Sequence, residues 1–241
     1  NISETHDSLK NSIIYNEGSF YNGHDGSGTI DISLKDCSSN QGIYNKSGIF
    51  NWKAFFYNGG SSAGTIDISL NDCSGNWGIY TQGGEFYNGH DGSGTIDINL
   101  SGGTGNYGIY RHGGEFYNGG HDGSATGTID INLSGGSGNR GIYNNDDDGD
   151  FYNGSYNGSA TGTITTTMKD GSGNLGIYSS YEEFYNGSYD GSGAGKIDIS
   201  LNGGSGNWGI YNYEYFYNGY YDASGLITIT TSDSNNYAGC D

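Results

Sequence analysis

The chain has 241 residues, of which 48 are Gly, 23 Tyr and none Pro, and its 27 acidic residues against 8 basic give a formal net charge of -19. That composition excludes collagen, which needs Gly at every third position with abundant Pro, and departs far from an average globular domain. The charge repels phosphate backbones and anionic lipid, which excludes nucleic acid as a partner class, and no run approaches the roughly 18 consecutive apolar residues of a membrane-spanning helix.

In chain order, residues 1–11 are polar and out of step with the rest of the chain, and read as an N-terminal extension ahead of a single repeat domain over 12–241. No leader precedes Asn1, so the expectation is a secreted chain whose signal peptide has already been removed. The repeat begins at Ile14-Tyr15 and returns at Ile43-Tyr44, Ile79-Tyr80, Ile109-Tyr110, Ile142-Tyr143, Ile177-Tyr178 and Ile210-Tyr211, the complete Gly-Ile-Tyr copies being 36, 30, 33, 35 and 33 residues apart. A Phe-Tyr-Asn-Gly phrase follows each, led by Phe20, Phe56, Phe86, Phe116, Phe151, Phe184 and Phe216. A third phrase closes the unit: Gly-Thr-Ile-Asp-Ile at 28, 64, 94 and 127, then the variants starting at Gly162, Gly195 and Gly225. Self-similarity at this period signals a solenoid, a propeller or an array.

Each unit offers three short β segments between Gly-rich turns. In Thr-Ile-Asp-Ile the period of two sends the Ile pair to one face and Thr and Asp to the other. In Phe-Tyr-Asn the same parity separates Phe from Tyr, and Phe is the better core occupant. One unit alone cannot bury its apolar face, but stacking Phe on Phe and Ile on Ile does so. Three short strands in a coil of about 33 residues resembles the right-handed parallel β-helix of the pectate-lyase-like superfamily and of adhesin passenger domains, over roughly residues 12 to 240. The competing architecture is a seven-bladed β-propeller, whose blades normally require a fourth strand.

A solenoid sets equivalent residues of adjacent coils about 4.8 Å apart, inside the Cα window of about 4.4 to 6.8 Å for a disulfide. Cys37 and Cys73 occupy one repeat position, so they are expected to stack, either as a bonded pair or as two reduced thiols. Cys240, near the end of the sequence, is expected to be a free thiol or to bond another chain. Asp31, Asp67, Asp97 and Asp130 also form a column. Its repulsion, under about 1 kcal/mol per neighbour in water, is outweighed by core burial, and the column is a candidate calcium site on a face that otherwise reads as simply solvated. Sequons at Asn45, Asn99, Asn132, Asn153, Asn157 and Asn186 are candidate glycan acceptors.

His24, His90 and His121 fall in His-Asp-Gly loops and read as turn chemistry rather than as a general base, because no nucleophile accompanies them. The carboxylate run at 144–150 reads as an acidic loop, and the basic residues are scattered, so no catalytic cleft is indicated and the chain is expected not to be an enzyme. No cofactor is required. The leading functional expectation is an extracellular structural protein, a subunit of a cell-surface filament or adhesin that stacks head to tail on itself. The alternative is a carbohydrate-binding or polysaccharide-cleaving β-helix whose Tyr columns meet surface glycans, and the third is an ice-binding protein using the Thr rows, which the interspersed Asp residues disturb.

Overall fold

The computed structural model describes residues 2–4, 12–46, 54–145, 149–181, 183–232 and 235–239. The chain is all-β: three parallel sheets of eight, seven and seven strands wind as a β-solenoid of six to seven coils. Successive repeats, not successive segments, lie beside one another in each sheet, which is incompatible with the antiparallel blades of a propeller. The described residues contain no helix long and apolar enough to cross a membrane.

The three phrases form the three sheets. Thr-Ile-Asp strands such as Gly64–Asn71 make the longest, Gly-Ile-Tyr strands such as Trp77–Gln82 the second, and Phe-Tyr-Asn strands such as Phe116–Asn118 the third. Pairing is in phase: Ile66 lies beside Ile96 and Ile96 beside Ile129, while Phe86 lies beside Phe116 and Phe116 beside Phe151. A one-residue slip would turn every Ile outward, so burial itself holds the register.

Phe56, Phe86, Phe116, Phe151 and Phe184 are fully buried, and with Phe20 and Phe216 at the ends they form one stack whose rings are 4.7 to 4.8 Å apart. The Ile and Leu columns complete the core, each buried side chain contributing about 1.5 to 3 kcal/mol.

The Ile column breaks at Thr166, which stands where the neighbouring coils carry Ile131 and Ile199, and its buried hydroxyl has no hydrogen-bond partner among the described residues. Thr166→Val, close in shape and lacking the orphaned hydroxyl, should raise stability by about 1 kcal/mol in denaturant titration, whereas a loss would reveal a partner for that hydroxyl.

The longest sheet takes its first strand from the start of the chain. Residues 2–4 lie within the segment read as an extension, yet Ile2–Glu4 pairs with Ile32 to Leu34 as the first strand of the longest sheet. Strand pairing at a sheet edge uses backbone groups, so it does not require the repeat phrase.

Candidate functional site

Columns of stacked side chains run along all three sheets of the solenoid. In the third sheet Phe and Asn face inward and Tyr outward, as the period of two demands. The Asn column is a continuous ladder: Asn22, Asn58, Asn88, Asn118, Asn153 and Asn186 each pass a side-chain amide hydrogen bond to the next at 2.7 to 2.8 Å, ending at Asn218. A second ladder runs through Asn40, Asn76, Asn106, Asn139, Asn174, Asn207 and Asn236, whose side-chain oxygens accept from the backbone N–H of the preceding member. Sequence reasoning assigned no role to these Asn columns. The repetition of a buried amide at one register position was the signal that could have revealed the ladders.

The outward Tyr column of this sheet is not exposed in the middle coils. Tyr87, Tyr117, Tyr152 and Tyr185 are buried because the following loops fold over them, bringing in the rings of His90, His121, Tyr156 and Tyr189. Each buried phenol donates to a carboxylate two residues earlier: Tyr87 to Glu85, Tyr117 to Glu115 at 2.5 Å, Tyr152 to Asp150 at 2.7 Å and Tyr185 to Glu183 at 2.6 Å. Burial, reinforced by these carboxylates, pushes all four phenols far above their ordinary range, so they stay protonated donors. The ring-to-ring distances, 4.6 to 5.1 Å from Tyr21 to Tyr217, make the column a buttress.

The second sheet carries the half-exposed aromatic face. Tyr15, Tyr44, Tyr80, Tyr110, Tyr143, Tyr178 and Tyr211 follow one another at 4.5 to 5.5 Å. Rings lying flat and side by side could not approach so closely. Most therefore stand on edge, face against face, and show solvent their rims and hydroxyls. A parallel row three positions earlier runs Trp77, Tyr107, Arg140, Leu175, Trp208 and Tyr237, where the Arg140 guanidinium lies 5.0 Å from the Tyr107 ring and 4.9 Å from the Tyr143 ring.

Neither a protein-family model, nor a curated protein, nor a solved structure matches this chain. Its function has to be argued from the columns themselves.

The cysteine column behaves as one of the two expected outcomes. Cys37 and Cys73 stack with Sγ atoms 2.8 Å apart, but both are free thiols, so the disulfide is not formed. Each sulfur has polar neighbours instead: Asn76 Oδ1 for Cys37, and the carbonyls of Leu34 and Asn71 for Cys73. Burial and the neighbouring thiol push the Cys73 thiol up to about 12. Alkylation of the native protein at pH 8 should therefore be at least about a hundredfold slower than of the unfolded chain, as mass spectrometry would show. Equal rates would mean that the pair is open. Cys240 lies outside the described residues.

The Asp column is in place on the longest sheet, with Asp31 beside Asp67, Asp67 beside Asp97 and Asp97 beside Asp130. It supplies one carboxylate per coil along a line. Among the described residues no group of three or more His, Cys, Asp or Glu side chains is placed to hold a metal ion. A cation bound along the row would meet one carboxylate per coil. Desolvation, then the charges of Asp130 and Asp67, raises Asp97 to about 6. Because that is above the unfolded value near 3.9, Asp97 favours the fold fully below about pH 4, and the contribution is lost as pH rises through 6. Asp97→Asn should raise stability at pH 7.5 by about 1 kcal/mol after solvent screening and leave it unchanged at pH 3.5. An equal effect at both pH values would mean that repulsion within the row is not its cause.

Burial sorts the sequons. Asn45, Asn153 and Asn186 are buried with their amide nitrogens donating, to the Glu85 carbonyl, to Asn186 and to Asn218 respectively, so the folded chain has no room for a glycan there. A signal read from three consecutive residues contains no information about which way the Asn points. Asn99, Asn132 and Asn157 are exposed. His90 and His121 contact Asp91 and Asp122 through Nδ1 while packing on Tyr87 and Tyr117, and His24 stacks on Tyr21, an arrangement that closes loops. Residues 146–148 of the acidic run lie outside the described residues.

Proposed function

We propose that this protein is an extracellular structural rod, a subunit of a cell-surface filament or adhesin in which copies associate coil onto coil. What supports it most is the direction of its side-chain contacts. Phe, Tyr and Asn columns pair along the axis from coil to coil, so one surface repeated many times replaces a convergent site. A second copy placed coil onto coil would repeat the contacts that each coil makes with its neighbour. The partner in this reading is a second copy of the chain. Glycans at Asn99, Asn132 and Asn157 and counter-ions such as calcium along the Asp row suit a surface location. The parallel coil-on-coil winding resembles in outline the pectate-lyase-like and adhesin passenger β-helices, and the adhesin role suits its repeated, non-convergent columns.

Sedimentation and electron microscopy of the purified chain over a range of concentrations test this reading. The expected result is rods longer than the single-chain axial length of about 30 Å, growing with concentration. Particles of constant length at every concentration would remove it.

A further inference from the structure

Where aromatic rings stack on one another their faces are used up, and a ligand that binds by stacking needs a face left over. The second sheet has one such place. In the row Trp77, Tyr107, Arg140, Leu175, Trp208 and Tyr237, the coil of Leu175 lacks both an aromatic ring and a guanidinium between two members that have them. Trp208 stacks one face on Tyr237 at 4.4 Å and meets Tyr211 with planes nearly perpendicular, at 82°, so among the described residues its face toward Leu175 meets no ring. Trp77 differs, because it lies nearly parallel to Tyr80 at 29°.

The gap is a groove of about 320 Å³ lined by Leu175, Tyr178, Trp208 and Tyr211 together with Gly173 and Gly206. Arg140 and Trp208 are two coils apart, about 9.6 Å at the usual strand spacing, with the shorter Leu175 at the register position between them. Across Leu175 from Trp208, Arg140 is held away from the groove, its guanidinium donating to the Tyr107 hydroxyl at 2.7 Å and lying against the Tyr107 and Tyr143 rings. An indole face, an aliphatic floor and two phenol hydroxyls at one mouth suit a ring with apolar C–H faces and a hydroxylated rim, and the net charge of -19 disfavours an anionic one.

We infer that the groove at Leu175 binds a single neutral pyranose of a glycan, stacked on the free face of Trp208. The site is independent of coil-on-coil association, since it lies on a side face. A single stacked sugar should bind with a Kd on the order of 1 mM. The probes are cellobiose, maltose, chitobiose, glucuronate and p-nitrophenol, titrated into protein labelled at its tryptophan indole nitrogens, with the Trp208 resonance assigned from Trp208→Phe.

At least one neutral disaccharide is expected to move the Trp208 signal, with glucuronate binding more weakly. Trp208→Ala should abolish binding, read in that variant from saturation transfer to the saccharide's own resonances. Leu175→Trp, which fills the gap with a ring and retains the fold, should do the same, with unchanged sedimentation in both variants. Binding that survives Leu175→Trp, movement by p-nitrophenol alone, or no response to any neutral saccharide would each overturn the assignment while leaving the structural-rod reading as it stands.

Discussion

Asn118→Ala is expected to lower stability by about 3 to 5 kcal/mol, a loss normally seen only when a large core side chain is removed. Asn118 is fully buried, accepts from Asn88 Nδ2 at 2.7 Å, and donates to Asn153 Oδ1 at 2.8 Å and to the Thr163 carbonyl at 3.0 Å. Alanine leaves a donor on Asn88 and acceptors on Asn153 and Thr163 without partners, each costing about 1 to 3 kcal/mol when water cannot reach it. Because a solenoid gains stability from neighbouring coils, the loss should spread outward from the substituted coil. Hydrogen exchange should show faster opening around residues 88, 118 and 153 than at either end. A change below about 1 kcal/mol in chemical denaturation would mean that the ladder is ornamental and that apolar burial alone holds the coils in register.

The second large effect is expected at Gly127, which faces the same ladder. A Cβ there would lie 2.4 Å from Asn118 Oδ1, 2.5 Å from the Asn88 carbonyl oxygen and 2.6 Å from the Asn118 carbonyl carbon. Two of these three are backbone atoms, so no rotamer change relieves the clash, and Gly127→Ala should cost more than about 3 kcal/mol and shift strand pairing locally. Combined with Asn118→Ala, which removes the one side-chain contact, the penalty should fall short of the sum by about 1 kcal/mol. Full additivity in that double-mutant cycle would place the strain elsewhere. The same close approach recurs at Gly94 and Gly162, which explains why the strand phrase opens on Gly in every copy.

The coil-on-coil arrangement was legible because two independent regularities agreed: a period of about 33 residues and an alternation of two within each phrase. Phe at one position in every copy announced a core column, and the Phe stack is that column. The candidate site was less legible. The gap at Leu175 has meaning only once Trp77, Tyr107, Arg140 and Trp208 are known to share a row, and that depends on the pairing of strands 30 to 35 residues apart. Side-chain direction misled in the Phe-Tyr-Asn phrase: parity correctly turned Tyr outward, but the loops that cover Tyr117 and Tyr152 belong to the variable part of the repeat.

By itself the sequence determined the class of fold, the three strands of each coil and which side chains enter the core, since these follow from local alternation and from the need of each unit for a neighbour to cover it. Only the tertiary structure decided which polar residues are buried and which aromatic faces are free. Asn99 and Asn153 belong to the same sequon type, yet one is exposed and the other sits in a ladder, and Trp77 and Trp208 share a row but differ in what lies on their rings. The physical reason is that burial and stacking are properties of contacts between coils, set by loops and neighbours far along the chain.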